Sequence, residues 1–62
     1  MAIYVDYEYR RKDGSIGKGT NTFYSVNKAI RFIYSINSKP NYAYTGFECD
    51  DSDELYAMNK RL

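Results

Sequence analysis

Histidine and tryptophan are absent from this chain, and cysteine occurs once, as Cys49. A single cysteine cannot form a disulfide within the chain. Without histidine, a four-ligand zinc site cannot be completed around Cys49 within one chain. The sequence therefore predicts a protein with no disulfide and no bound metal.

Long apolar segments are also missing. No run approaches the roughly 18 residues that a membrane-spanning helix needs. The first residues, MAIYVDYEYRR, lack the basic start and apolar stretch of a signal peptide. A lone unpaired cysteine suits a reducing compartment. We therefore expect a soluble cytoplasmic protein with no membrane partner.

The chain is short, at 62 residues, which predicts a single domain over residues 1–62. A core of that size rarely supplies more than about 3–5 kcal/mol of net stability without disulfides, metals or oligomerisation. Since the first two are excluded, a homodimer stays open.

Net charge is only +1, but its distribution is uneven. Residues 1–40 carry seven basic and three acidic side chains, whereas residues 41–62 carry two basic and five acidic ones. This asymmetry predicts a basic end and an acidic end.

Two strands are predicted in the first part of the chain. Residues 2–10 alternate with period two, which places Ile3, Val5, Tyr7 and Tyr9 toward the core. Asp13-Gly14 is a turn pair, because glycine accepts the positive φ that a tight hairpin needs. A second strand over residues 20–24, with Phe23 inward, would complete a hairpin whose tip is RRKDGSIGK.

A helix is predicted over residues 26–37, with Ser25 as its N-cap. Its apolar stripe has helical spacing and consists of Val26, Ala29, Ile30, Ile33 and Ile36. Pro40 ends the segment, because proline cannot continue a helix.

Residues 41–49 are predicted to form a third strand. Its alternation places Ala43, Thr45, Phe47 and Cys49 on one side and Tyr42, Tyr44, Gly46 and Glu48 on the other. Gly46 either weakens this strand or marks a bulge. The tail fits a short helix capped by Asp51 or Ser52, or a fourth strand, and local propensity favours the helix.

These elements predict a small two-layer α+β domain. Its antiparallel three-stranded sheet has the order 2-1-3, and the amphipathic helix packs on one face. The chain order is β-β-α-β, followed by the short C-terminal helix or fourth strand.

The stretch GSIGKGT, residues 14–20, contains two incomplete phosphate-binding motifs. A nucleotide-binding loop needs G-x-x-x-x-G-K-[ST] before a helix, but here the glycines are too close and a strand follows. Gly14-Ser15-Ile16-Gly17 spells the GXXG of a KH domain, whose loop joins two helices rather than two strands. We therefore predict no cofactor.

The basic tip is the first candidate binding surface. A two-stranded ribbon can lie along a phosphate backbone, which makes Arg10, Arg11, Lys12 and Lys18 candidate phosphate contacts. A solvated hairpin end is the favoured interpretation, because a chain so near neutrality lacks the basic footprint of nucleic-acid binders.

Tyrosine is abundant, with eight residues, and provides the second candidate surface. We predict that Tyr4, Tyr42 and Tyr44 lie on the sheet face away from the helix, with Tyr24 beside them. Such a face suits a protein partner or a second copy, base stacking, or simple packing across strands.

Catalysis is not expected. The acidic run of residues 48–54 fails the calcium-loop pattern, because Tyr56 stands where that loop needs glycine. Cys49 lies on the inward side of its strand, where a thiol is usually inert. A domain this small has little room for a deep pocket. The sequence thus predicts that the protein is not an enzyme.

In composition and length, the chain resembles small accessory proteins of phages and mobile elements. The resemblance implies a protein that docks on a host protein or complex in the host cytoplasm and modulates it, for example by anti-defence inhibition. Two alternatives stay open. One is a small nucleic-acid-binding domain that uses the basic tip and the tyrosines, and the other is a homodimeric structural module.

Overall fold

A computed structural model describes residues 2–62. The chain forms β1 (Ile3–Arg10), β2 (Ile16–Phe23), α1 (Val26–Asn37), β3 (Tyr42–Cys49) and α2 (Ser52–Arg61). The strands build one antiparallel sheet in the order β2-β1-β3. Both helices contribute to the same core cluster as the inward side of β1, so they pack on one sheet face. The predicted α+β fold and strand order are confirmed.

The hairpin between β1 and β2 is longer than predicted. Its turn closes where the Gly14 amide donates to the Arg11 carbonyl over 3.0 Å. Gly14 has φ +88°, which confirms the need for glycine there. β2 begins at Ile16 rather than at Thr20, because Gly17 and Gly19 pair with Tyr9 and Tyr7 instead of belonging to the tip.

Helix α1 has the predicted bounds and the predicted inward stripe. Ala29, Ile30, Ile33 and Ile36 are buried, and Val26 packs against the core. Ser25 occupies the N-cap position with an extended backbone, but its side chain makes no capping hydrogen bond. The expected hydroxyl cap is therefore wrong.

The tail is helical. The Asp51 carboxylate accepts hydrogen bonds from the amides of Asp53, at 2.9 Å, and Glu54, at 3.1 Å. This cap satisfies amides that the first turn of α2 would otherwise leave unpaired. Met58 is completely buried in the core, which anchors α2 beside α1 and β3.

Strand β3 contains a bulge that reverses the predicted facing of its first half. Asp6 pairs with Gly46 but Tyr7 pairs with Tyr44, so Thr45 is one residue in excess. Because side chains alternate with period two, one extra residue moves those before it to the opposite face. Tyr42 and Tyr44 therefore lie on the helix-bearing face. The prediction that they point away from the helix, with Ala43 inward, is wrong.

The molecule is elongated, with principal extents of 40 × 18 × 14 Å. From β1, the core cluster includes Ile3 and Val5 but not Tyr7 or Tyr9. The helices thus cover the half of the sheet distant from the hairpin turn. Within residues 2–62, no helix is long and apolar enough to cross a membrane.

Candidate functional site

The four tyrosines predicted to form a partner-binding face do not lie together. Tyr4 is 41% exposed on the reverse face of the sheet, between Thr22 and Glu48. Tyr24 follows β2 and is 71% exposed. Tyr44 packs against the core. The prediction of a tyrosine cluster on the reverse face is therefore wrong. Strand pairing places Tyr4 on that face.

A different tyrosine cluster forms on the helix-bearing face, toward the hairpin turn. We call Tyr7, Tyr9 and Tyr42 the tyrosine patch. Ring centroids are 6.3 Å apart for Tyr7 and Tyr9, 6.2 Å for Tyr7 and Tyr42, and 6.1 Å for Tyr9 and Tyr42. Tyr7 also meets Phe32 of α1 edge-on at 5.6 Å. The patch thus continues the core outward from the end of the helix layer.

Two glycines make room for the patch. A methyl group at Gly17 would lie 2.6 Å from Tyr9 Cε2, and one at Gly19 would lie 2.5 Å from Tyr7 Cζ. The two rings therefore rest directly on the backbone of β2. Residues that looked like part of a flexible tip instead form a flat support for aromatic side chains.

The bulge at Thr45 places the third ring, that of Tyr42, on the helix-bearing face. If β3 continued from Gly46 in regular register, with Thr45 opposite Tyr7, Tyr42 would fall on the reverse face instead of beside Tyr9. The patch is consequently built by three separate features: alternation in β1, glycines in β2 and a bulge in β3.

Basic side chains border the patch. The Arg11 guanidinium carbon lies 5.3 Å from the Tyr9 ring centroid, and Lys39 Nζ lies 5.4 Å from that of Tyr42. Both are cation–π contacts, in which the ring quadrupole attracts the charge. The border of the patch is therefore positively charged.

The predicted basic tip is divided between surfaces. Arg11 borders the patch, and Lys12 lies in the turn. Arg10 and Lys18 belong to the reverse face by strand alternation, where Lys18 pairs with Glu8 across the strands. All four side chains are exposed, and strand alternation divides them between the two faces of the sheet and the turn.

The turn is internally hydrogen-bonded. Asp13 Oδ1 accepts from the Ser15 hydroxyl at 2.7 Å and from the Ser15 amide at 2.9 Å. These hydrogen bonds favour the ionised carboxylate and lower the pKa of Asp13 below its ordinary value. The ionised Asp13 carboxylate thus stabilises the turn through Ser15.

Tyr44 differs from the patch tyrosines because it is packed into the core edge. Its amide donates to Asn37 Oδ1 over 3.4 Å, which ties β3 to the end of α1. Burial, followed by the nearby Asp6 charge, raises the pKa of the Tyr44 phenol. Tyr44 is therefore a structural contact between sheet and helix.

Other chemistry is sparse. Within the part of the chain that the structure describes, no three His, Cys, Asp or Glu residues lie close enough to hold a metal ion. Cys49 packs against the core, as its strand position predicted, and its Sγ lies 3.5 Å from the Asp51 carbonyl.

Comparison of the chain with protein-family models, with curated proteins and with solved structures finds no match. Function must therefore be inferred from the surface chemistry.

Sequence reasoning missed Tyr7, Tyr9 and Lys39 as candidate binding residues. Tyr7 and Tyr9 were placed on the inward side, correctly, but α1 is too short to cover them. Twelve helical residues span about 18 Å, whereas eight strand residues span about 27 Å. This difference in length can be calculated from the element boundaries, and it indicates that α1 leaves one end of β1 uncovered.

Proposed function

We propose that this protein is a non-enzymatic binding protein that docks on another protein through the tyrosine patch and modulates it. The observation that carries this proposal is the position of Tyr7, Tyr9 and Tyr42. They extend the core beyond the helices, with Tyr42 41% exposed. A host protein or complex is the partner class that the composition of the chain suggests.

The side-chain chemistry of the patch favours a protein partner. Tyrosine and arginine are enriched among the residues that dominate binding energy at protein interfaces. A tyrosine ring offers rigid apolar area together with a hydroxyl that can hydrogen-bond to the partner. Three such rings beside Arg11 provide a compact group of this type.

Base stacking is less well supported by the ring geometry. Stacking proteins present free aromatic faces to the bases. Here Tyr7 and Tyr9 rest on β2, and cations lie over Tyr9 and Tyr42. A nucleic acid would have to displace Arg11 and Lys39 before it could stack.

The border charges indicate an acidic partner surface. Arg11, Lys12 and Lys39 lie at this end and outnumber the single carboxylate of Asp13. Electrostatic complementarity would speed association and make it sensitive to salt.

The test compares two double variants that each remove two tyrosine rings. Tyr9→Ser/Tyr42→Ser disrupts the patch, whereas Tyr4→Ser/Tyr24→Ser removes exposed rings elsewhere. Each protein is immobilised, exposed to nuclease-treated host lysate, and the captured proteins are identified by mass spectrometry. Circular dichroism confirms that each variant is folded.

The proposal expects one specific partner to be captured by the wild type and by Tyr4→Ser/Tyr24→Ser, and to be lost with Tyr9→Ser/Tyr42→Ser. Titration calorimetry with the purified partner should show at least a tenfold weaker affinity for the patch variant, about 1.4 kcal/mol. Equal affinity of both variants would reject the patch as the docking surface. If a single-stranded oligonucleotide binds and is lost with the same variant, nucleic acid replaces protein as the partner.

A further inference from the structure

The two edges of the sheet differ in how far they are protected. β3 is interrupted by the bulge at Thr45, and the Tyr44 amide at its outer side is taken by Asn37. Such features hinder pairing with another strand. β2 pairs regularly with β1 over eight residues, from Ile16 to Phe23. It contains no proline, and its single charge is Lys18.

The direction of the free backbone groups on β2 follows from the hydrogen bonds around the turn. The Arg11 amide points toward the β2 side and donates to the Ser15 carbonyl over 2.8 Å. The Arg10 amide points toward the β3 side and donates to the Asn41 carbonyl over 2.9 Å. Because hydrogen-bonded and non-hydrogen-bonded pairs alternate in an antiparallel ladder, every second residue of β2 directs its amide and carbonyl outward. These residues are Ile16, Lys18, Thr20 and Thr22, all of them exposed.

We propose that β2 pairs with β2 of a second copy of this chain, forming a continuous six-stranded antiparallel sheet. In the favoured register, Lys18 lies opposite Thr20 of the other copy and Ile16 lies opposite Thr22. The two-fold axis passes at Gly19. All four outward residues then form hydrogen-bonded pairs, and no two lysines face each other.

Charge complementarity supports this register. On the reverse face, Thr20 pairs with Asp6 within its own chain, and its hydroxyl donates to Asp6 Oδ1 over 2.7 Å. Lys18 of one copy would therefore extend across Thr20 of the other toward Asp6. The row across the joined sheet would run Glu8, Lys18, then Thr20 and Asp6 of the second copy, so Lys18 has an acidic residue on each side, the second beyond Thr20. The two Lys18 residues are diagonal neighbours rather than opposite each other.

Steric fit on the helix-bearing face also supports the register with its two-fold axis at Gly19. The residues facing each other there are Gly19 with Gly19, and Gly17 with Asn21. Because glycine has no side chain, Gly17 and Gly19 leave space for the Tyr9 and Tyr7 rings that lie over them. On the reverse face, Ile16, 53% exposed, would approach Tyr4 of the second copy. The low net charge of +1 adds little repulsion between copies.

One strand pair is a small interface, below the roughly 1,200 Å² of standard protein–protein interfaces. We therefore expect a dissociation constant in the high micromolar range rather than a nanomolar one. The dimer does not depend on the docking function proposed above, because it uses backbone groups of β2 and leaves Tyr42 and Arg11 outside the strand pair.

The first test measures mass and amide exchange over a concentration series. Sedimentation should show monomers at low micromolar concentration and dimers near millimolar concentration. Where nine-tenths of the chains are paired, exchange of the Lys18 and Thr20 amides should be about tenfold slower than in the monomer. The outward-directed amides of Phe47 and Cys49 on β3 are the internal reference and should not change. A monomer throughout, or a dimer whose β2 amides are not slowed, overturns the proposal.

The second test removes one outward amide. Thr20→Pro deletes a donor at the proposed interface while sparing the β1–β2 hydrogen bonds, and it should remain monomeric at every concentration. Thr20→Val is the matched control, because it loses the hydrogen bond to Asp6 but keeps the amide, and it should dimerise. Dimerisation of Thr20→Pro to the same extent as Thr20→Val contradicts the proposal.

Cysteine cross-linking provides a test if Thr20→Pro fails to fold. In a Cys49→Ala background, Lys18→Cys chains are mixed with Thr20→Cys chains under mild oxidation. A disulfide-linked heterodimer is expected, because opposite residues in a ladder lie within disulfide reach. A mixture of Lys18→Cys with Thr22→Cys should cross-link less. Absence of the first product, or a preference for the second, rejects the proposed register.

Discussion

Gly17 and Gly19 shape the surface of this protein although they have no side chains. The Tyr9 and Tyr7 rings occupy the positions where a Cβ atom would otherwise stand. A strand glycine normally weakens a sheet, because it has no side chain to pack. Here the aromatic rings of the neighbouring strand provide that packing.

Gly17→Ala should destabilise the protein by about 1 kcal/mol, because the added methyl group must displace the Tyr9 ring. Gly46→Ala is the matched control. It lies in a strand with no heavy atom within 4 Å of its Cβ position, so it should be neutral or stabilising by about 0.5 kcal/mol. Urea unfolding measures both changes. Equal effects would show that the ring does not rest on Gly17.

Asp13 should titrate below the ordinary aspartate pKa, because Ser15 donates two hydrogen bonds to its carboxylate. A lowered folded-state pKa means that this contribution to stability is fully present above the unfolded-state pKa. It is lost as the pH falls through the folded-state value. NMR titration of the carboxyl carbon measures the pKa. In Ser15→Ala, which loses the hydroxyl donor, the Asp13 pKa should rise; an unchanged pKa would contradict the assigned cause.

At the scale of elements, the two helices begin in different ways. Asp51 caps α2 with two hydrogen bonds, whereas the Ser25 side chain caps nothing at α1. α1 is held instead by its buried isoleucines. The shorter and more polar α2 depends more on its cap and on Met58.

Asp51→Ala should destabilise the protein by about 1 kcal/mol, since two amides of the first turn lose their partner. Ser25→Ala occupies the same position in α1 and should change stability by less than about 0.5 kcal/mol. Thermal and urea unfolding compare them directly. A larger loss from Ser25→Ala than from Asp51→Ala would mean that the assigned caps are wrong.

At the scale of the whole molecule, packing is uneven along the sheet. The Cα radius of gyration is 12.2 Å, compared with about 10.6 Å expected for a compact chain of this length. One half is packed beneath two helices, and the other is covered by the tyrosine patch. Surfaces that bind partners are commonly drawn from such less stable regions.

Amide exchange should reveal this gradient in the monomer. The Val5 amide, beneath the helices, should exchange at least about ten times more slowly than the Tyr9 amide near the turn. Both belong to the β1–β2 ladder, so the comparison isolates the effect of the covering layer. NMR exchange at micromolar concentration, where β2 is unpaired, measures it. Equal rates would mean that the sheet opens as one unit.

Much of the fold was predictable because its signals are local. The alternation in β1, the apolar stripe of α1 and the Asp13-Gly14 turn each arise from neighbours in the chain. The strand order then followed, because the hairpin pairs β2 with β1 and α1 returns the chain so that β3 runs antiparallel to β1. The tail was ambiguous, and it became a helix through the Asp51 cap and the burial of Met58.

The binding surface was less predictable, because it depends on a shift of one residue in the pairing of β3 with β1. The alternation of side chains along a strand assigns them to the correct sheet face only where the strand has no bulge. Thr45 breaks that count in β3, and the facing of Tyr42 and Tyr44 changes with it.

The sequence alone determined the kinds of elements, their order and their inward stripes, since these depend on short-range spacing. Tertiary structure alone decided which tyrosines meet. That outcome requires Gly17 and Gly19 of one strand, Tyr7 and Tyr9 of a second and the bulge of a third to be brought side by side. No local pattern encodes their combined geometry.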